Sequence, residues 1–312
     1  MGDILNITFF VGLFAATLRL ATPLIFGTIG ELFIEKSGVL NLGIEGNMLL
    51  GALVGFVTVR VTGNLWLGVL AAGLAGSLMN IILAFFAVTL GVSQHVTGLG
   101  ITFLSTGLAM FSYRHVIGSP SIPPTIEPFD VVHVPFLAKI PYIGEIFFQQ
   151  YALVYIAIGI AGLSAFVLYK TPWGLRIRTV GENPAAADTV GVNVSRVRYR
   201  TLVWGGFLIG VGGAFLSLAQ FNMFIFGLVS GRGWICLALV IFGGYRAGRC
   251  LIGALLFGMI DALQLRLQGL GFDIPYQFFL LLPYLITLIA LILVARKAIY
   301  PAAFLEPYRR EE

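Results

Sequence analysis

Charge is scarce in this sequence. Lys, Arg, Asp and Glu make up only 11% of its 312 residues, against about a quarter in a soluble globular domain. Cysteine is scarcer still, at two, Cys236 and Cys250. They lie in or beside apolar runs, which gives no disulfide framework and no metal-ligand spacing. There is no G-x-x-x-x-G-K run ending in Ser or Thr. The glycine-rich "GGYRAGRC" at 243–250 lacks that ending, so no phosphate-cradling loop is available. No polar stretch is long enough to fold into a nucleotidase, so ATP chemistry is excluded from this chain. The start lacks a basic region and an Ala-x-Ala site, so the first apolar run is expected to insert and stay rather than be cleaved. The net charge of +5 does not argue for nucleic acid. Its distribution bears on topology instead.

What fills the chain is apolar surface: 58% hydrophobic residues and a mean hydropathy of +0.96. A soluble fold of this length could not hide that much. Repeated runs of about 20 apolar residues broken by short polar loops predict an all-α, polytopic transmembrane bundle. The runs fall at 4–33 (one long helix or two short ones), 39–59, 65–90, 94–114, 151–169, 201–222, 232–245, 250–266 and 276–295, which makes nine or ten spans in one domain. Glycine, at 39 residues, is the means of close helix packing in such a bundle.

Lys and Arg set the orientation. The loop 170–200 holds Lys170, Arg176, Arg178, Arg196, Arg198 and Arg200, and the tail holds Arg296, Lys297, Arg309 and Arg310. Four spans lie between, so both segments are expected on the cytoplasmic side. The segment 115–149 then falls outside. It contains six of the thirteen prolines and reads as an ordered but irregular loop, either a connector capping the helices or a docking surface.

In the basic loop, "ENPAAADTVG" has the grammar of a short helix. Asn183 suits the N-cap, Pro184 the first turn, Ala185, Ala186 and Ala187 its body, and Gly191 its end. Ser195 is placed to cap the next span. So short a helix needs something to pack on. It rests either on the membrane and its own bundle, or in a groove of a cytoplasmic partner, where Asn183 through Asp188 would couple the two.

Polar groups at membrane depth form two clusters. In "KSGVLNLGIEGNMLLGA", 36–52, Asn41 and Glu45 are four apart and share a helical face, with Asn47 towards the other side. A carboxylate there must be paired, hydrated or protonated. Glu45 is either a lock bonded to a neighbouring helix or part of a route through the membrane. In "SLAQFNMFIFGLVSGRGW", 217–234, Gln220, Asn222, Ser230 and Trp234 either face a cavity or serve as caps and interface anchors.

"SGVLNLGIEGNMLLGA", "GLRIRTVGENPAAADTVGVNVSRVRYR" and "GRGWICLALVIFGGYRAGRCLIGALLFG" together resemble the permease subunits of bacterial ABC importers for simple sugars, nucleosides and branched-chain amino acids. The resemblance covers roughly 20–295 and is nearest the nucleoside branch. It implies a subunit of the inner membrane with its C-terminus cytoplasmic. It also implies a second permease, identical or not, two ATP-binding subunits that hold ATP and Mg, and an extracytoplasmic binding lipoprotein. This chain itself would bind no cofactor and contact lipid, not nucleic acid. Residues 183–188 would be the coupling helix. An ion-coupled secondary transporter is the competing reading.

Overall fold

The computed structural model describes residues 7–269 and 300–308, and a few single positions from 281 to 292. The architecture of the described residues is mostly helical. α1 (Ile7–Lys36), α2 (Ile44–Thr62), α3 (Leu65–Ala84) and α4 (Gln94–Val116) come first. A short hairpin follows, β1 (Val131–His133) pairing antiparallel with β2 (Gln149–Tyr151), with α5 (Ile143–Phe147) between them. Then come α6 (Ala152–Lys170), α7 (Pro172–Glu182), α8 (Pro184–Thr189), α9 (Val194–Phe215), α10 (Arg232–Phe242) and α11 (Ala247–Gly269). α3 and α9 each end in a π-helical turn, Phe85–Thr89 and Leu216–Gln220.

Among the described residues seven helices are long and apolar enough to cross a membrane: 7–36, 44–62, 65–89, 94–116, 152–170, 194–220 and 247–268. The expected span 276–295 lies largely outside the described residues. The first apolar run is one 30-residue helix, not two, although it carries Pro23 inside it. The expected run 232–245 contains only an 11-residue helix, about 16 Å long at 1.5 Å per residue and too short to cross the ~30 Å hydrocarbon core.

Local chemistry sets most boundaries. Gly63, at φ 70°, closes α2 with its N–H on the Val59 carbonyl. Asn64 then caps α3 by accepting from the Trp66 and Leu67 amides. Thr171 caps α7 ahead of Pro172. α9 begins seven residues before the expected span because Asn193, not Ser195, is its cap; Asn193 accepts from the Arg196 amide at 2.8 Å.

α9 is the axis of the bundle. It packs on α1, α2 and α3 through glycines so close that a methyl group would not fit. A Cβ on Gly205 would lie 2.6 Å from the Gly30 carbonyl oxygen, one on Gly210 2.2 Å from that of Ala72, and one on Gly213 2.0 Å from that of Met48.

Candidate functional site: the broken helix and the polar cavities

α10 starts inside the protein. Its Cys236 thiol lies 3.6 Å from the Leu24 carbonyl, near the middle of α1. Tyr245, just past its end, packs under the Lys36 ammonium at the end of α1. Residues 221–231, which lead into α10, are irregular. Asn222, Gly227, Ser230 and Gly231 all have φ between 51° and 80°. Backbone amides exposed at such depth need a partner.

Glu45 is that partner. It lies on the first turn of α2, and its two oxygens each accept a 2.8 Å hydrogen bond, one from the Gly231 amide and one from the Gly233 amide. The positive end of the α10 dipole favours a carboxylate here. Gly233 allows the approach, since a Cβ there would sit 2.6 Å from the Glu45 Cα. Both carboxylate oxygens are thus bonded to backbone at the start of a neighbouring helix.

Asn41 does not share a helical face with Glu45, because α2 begins only at Ile44. Residues 39–41 are non-helical and run back along α1, where the Asn41 amide and side chain both donate to Glu31, each at 3.2 Å. Its Oδ1 accepts from the Gly43 amide. Asn47 faces away from Glu45. It donates to Asn80 on α3 at 2.7 Å and accepts from Ser105 on α4 at 3.0 Å, and Asn80 donates on to the Leu202 carbonyl of α9. One polar chain therefore ties four helices. Sequence reading passes over Glu31, Asn80 and Ser105. Glu31 and Asn80 are polar residues inside apolar runs, the same signal that draws attention to Glu45.

Two adjoining cavities open nearby, and the smaller reaches the start of α10 at Arg232 and Ile235. The larger, of about 610 Å3, is bordered by Arg19, Gln149, Tyr151, Gln220 and Arg266 among others. Arg19 is fixed by Gln150 Oε1 at 2.8 Å and by the Tyr151 ring. The smaller, of about 260 Å3, is bordered by Phe221, Ser230, Arg232, Asp261 and Gln264. Leu20 and Leu265 line both. Of the second polar cluster, Gln220 and Ser230 border these spaces. Asn222 holds the loop 221–231 to the chain at 125–126 by accepting the Ile126 amide. Trp234 turns outward, 40% exposed.

At the end of the bundle where α1 stops, α8 forms as its sequence grammar requires. Asn183 caps it by accepting from the Ala186 amide at 2.9 Å, and Gly191, at φ 83°, ends it. Ala187 is buried against the bundle, whereas Ala185 and Ala186 are exposed. α7, absent from the sequence reading, leads into it. Residues 300–308 strap this assembly to the end of α1. The Ala303 amide donates to the Gly181 carbonyl, the Leu305 amide to that of Gly38, and the Tyr308 hydroxyl to Asp188. Arg198, 1% exposed, donates to the Ser37 and Glu306 carbonyls.

The family described as the permease component of the branched-chain amino acid transport system matches residues 13–291. The chain belongs to this family. It is an ABC transporter permease subunit, not an ATPase. A putative glucose ABC transporter permease of Haloferax volcanii is 42% identical over 85% of this chain and 80% of its own length. The guanosine ABC transporter permease of Bacillus subtilis is 38% identical over 94% and 95%. A nucleoside ABC transporter permease of Lactococcus lactis is 37% identical over 91% and 92%. No solved structure matches the chain closely.

Proposed function

We propose that this subunit forms part of the membrane route of an ATP-driven importer for nucleosides. The observation that carries the substrate is coverage: both nucleoside-type relatives align over more than nine-tenths of either chain. The higher identity of the glucose-type relative, over a shorter stretch, supports simple sugars as the second reading. Gln220, Asn222 and Ser230 belong to the route or its border. Asn41, Glu45 and Asn47 belong to the frame that keeps it open, and Trp234 is left to an outer surface. Two ATP-binding subunits, holding ATP and Mg, dock at the α7–α8 end, which faces the cytoplasm. A binding lipoprotein delivers substrate at the other. A second permease completes the route. Two guanosine permeases of Bacillus subtilis both resemble this chain, at 38% and 23% identity, which supports a pair of unlike subunits.

Uptake of radiolabelled guanosine by cells with and without this chain, the ATP-binding subunits intact, tests the reading. Uptake is expected to need the chain and to be competed by other nucleosides. Competition by glucose or ribose alone moves the substrate to sugars. Uptake that persists with the ATP-binding subunits disabled overturns the importer.

The docking role of α8 has its own test. Ala186 is exposed on a face of small side chains. Ala186→Arg places a long side chain in the joint, and overpacking of about 1–3 kcal/mol lowers coupled uptake about fivefold or more. ATP hydrolysis and the amount of folded subunit are measured alongside. Normal uptake with normal folding rules the role out.

A further inference from the structure

The smaller cavity contains an ion pair that the frame does not use. Arg232 Nη2 stands 3.9 Å from Asp261 Oδ2, beyond hydrogen-bonding distance. The guanidinium is held from behind, its Nη1 donating to the Leu228 and Val229 carbonyls at 3.3 and 3.2 Å. Its Nε has no partner among the described residues. The side chains of Arg232 and Asp261 are 16% and 19% exposed, so both are partly desolvated without being sealed off. Phe221 and Gln264 border the same space.

We propose that this chamber is a transit site for a neutral, hydroxyl-rich solute, and that Arg232 and Asp261 are its recognition pair. This rests on the importer reading but on neither choice of substrate. Arg232 lies between two carboxylates, Asp261 and Glu45, so an anionic solute would add to the negative charge already at depth, which is costly. A neutral solute incurs no such cost. A gap of 3.9 Å between donor and acceptor leaves both short of a mutual bond. A vicinal diol can donate to the carboxylate and accept from the guanidinium at once. Phe221 adds an apolar face for a flat ring. The larger cavity, with Arg19, Arg266 and Glu145 on its walls, leads in past Leu20 and Leu265.

The position links binding to the frame. Arg232 is the first residue of α10, between the two glycines that Glu45 holds. A solute on the pair therefore touches the start of the broken helix.

The test uses the whole importer in cells. Cys236 and Cys250 are fully buried, so Leu265→Cys supplies a reactive thiol in the wall common to both cavities. A charged maleimide is expected to label it, and saturating guanosine to slow labelling several-fold. Guanosine monophosphate is expected not to. In parallel, Asp261→Asn is expected to lower maximal uptake about tenfold, the loss of one charge-assisted hydrogen bond. Protection by glucose and not by guanosine keeps the site and removes the nucleoside reading. Failure to label, or labelling that neither solute slows, overturns the site even where guanosine uptake still depends on the chain. So does wild-type uptake by Asp261→Asn.

Discussion

Glu45→Ala is expected to cost the protein about 3 kcal/mol or more, because two amides at the start of α10 lose their charged acceptor together. The α10 dipole also loses its counter-charge. Arg232 also loses its anionic neighbour on that side. Little folded subunit should be recovered from detergent, and what is recovered should melt well below the parent. Glu45→Gln keeps one acceptor oxygen and turns an amino group towards the other amide. About half the loss is expected, ~1–2 kcal/mol, with uptake reduced in proportion to the subunit that survives. Thermal melts of the purified subunit, read beside uptake, separate the lock from a direct role in passage. A Glu45→Ala protein that melts and transports like the parent would show that α10 is held by something else.

Glu45 also shows where a sequence stops being legible. Its polarity within an apolar run is visible, and that singles it out. Its partner is not, because a carboxylate can be satisfied by backbone amides and these carry no residue signature. The break at 221–231 is visible, since one apolar run ends at 222 and the next opens at 232, but its depth is not. Phe224, Leu228 and Val229 are buried there, and nothing in a short connector's composition tells a loop folded into the bundle from one at its surface. Asn41 is misplaced by sequence because the pattern "NLGIEG" continues a helical period that the chain does not follow. Gly38, at φ 87°, and the bonds to Glu31 hold residues 39–41 out of helix. By contrast α8 is readable almost to the residue. Capping is a local affair, and Asn-Pro followed by alanines and a glycine admits few other conformations. The strap at 300–308 lies beyond reach, since its distant partners are more than a hundred residues away and two of them, at Gly181 and Gly38, are backbone carbonyls.

Glycine abundance announces close packing without saying which glycines matter, and here the largest effect is expected. Gly210→Val should prevent the bundle from forming. The substituted Cβ would lie 2.2 Å from the Ala72 carbonyl oxygen, and Gly51 already sits against the Gly210 backbone from the opposite side. α9 cannot retreat from α3, because Gly205 meets Gly30 of α1 and Gly213 meets Met48 of α2 within the same three turns. Relief requires moving backbone against backbone on three fronts, so a loss of about 4 kcal/mol or more is expected, at the far end of single substitutions. Helix propensity cannot offset it, since valine gains at most a few tenths of a kcal/mol over glycine in a helix. Gly107 is the control. It lies in α4 with nothing within 4 Å of the place a methyl group would occupy, and Gly107→Ala should leave the melting temperature unchanged or raise it slightly, by up to about 1 kcal/mol of propensity. Expression and size-exclusion profiles of the two variants decide the matter. Folded Gly210→Val protein would mean that α9 is not clamped by its glycines, and loss of Gly107→Ala would mean that α4 is covered by a partner whose packing needs the same economy of atoms.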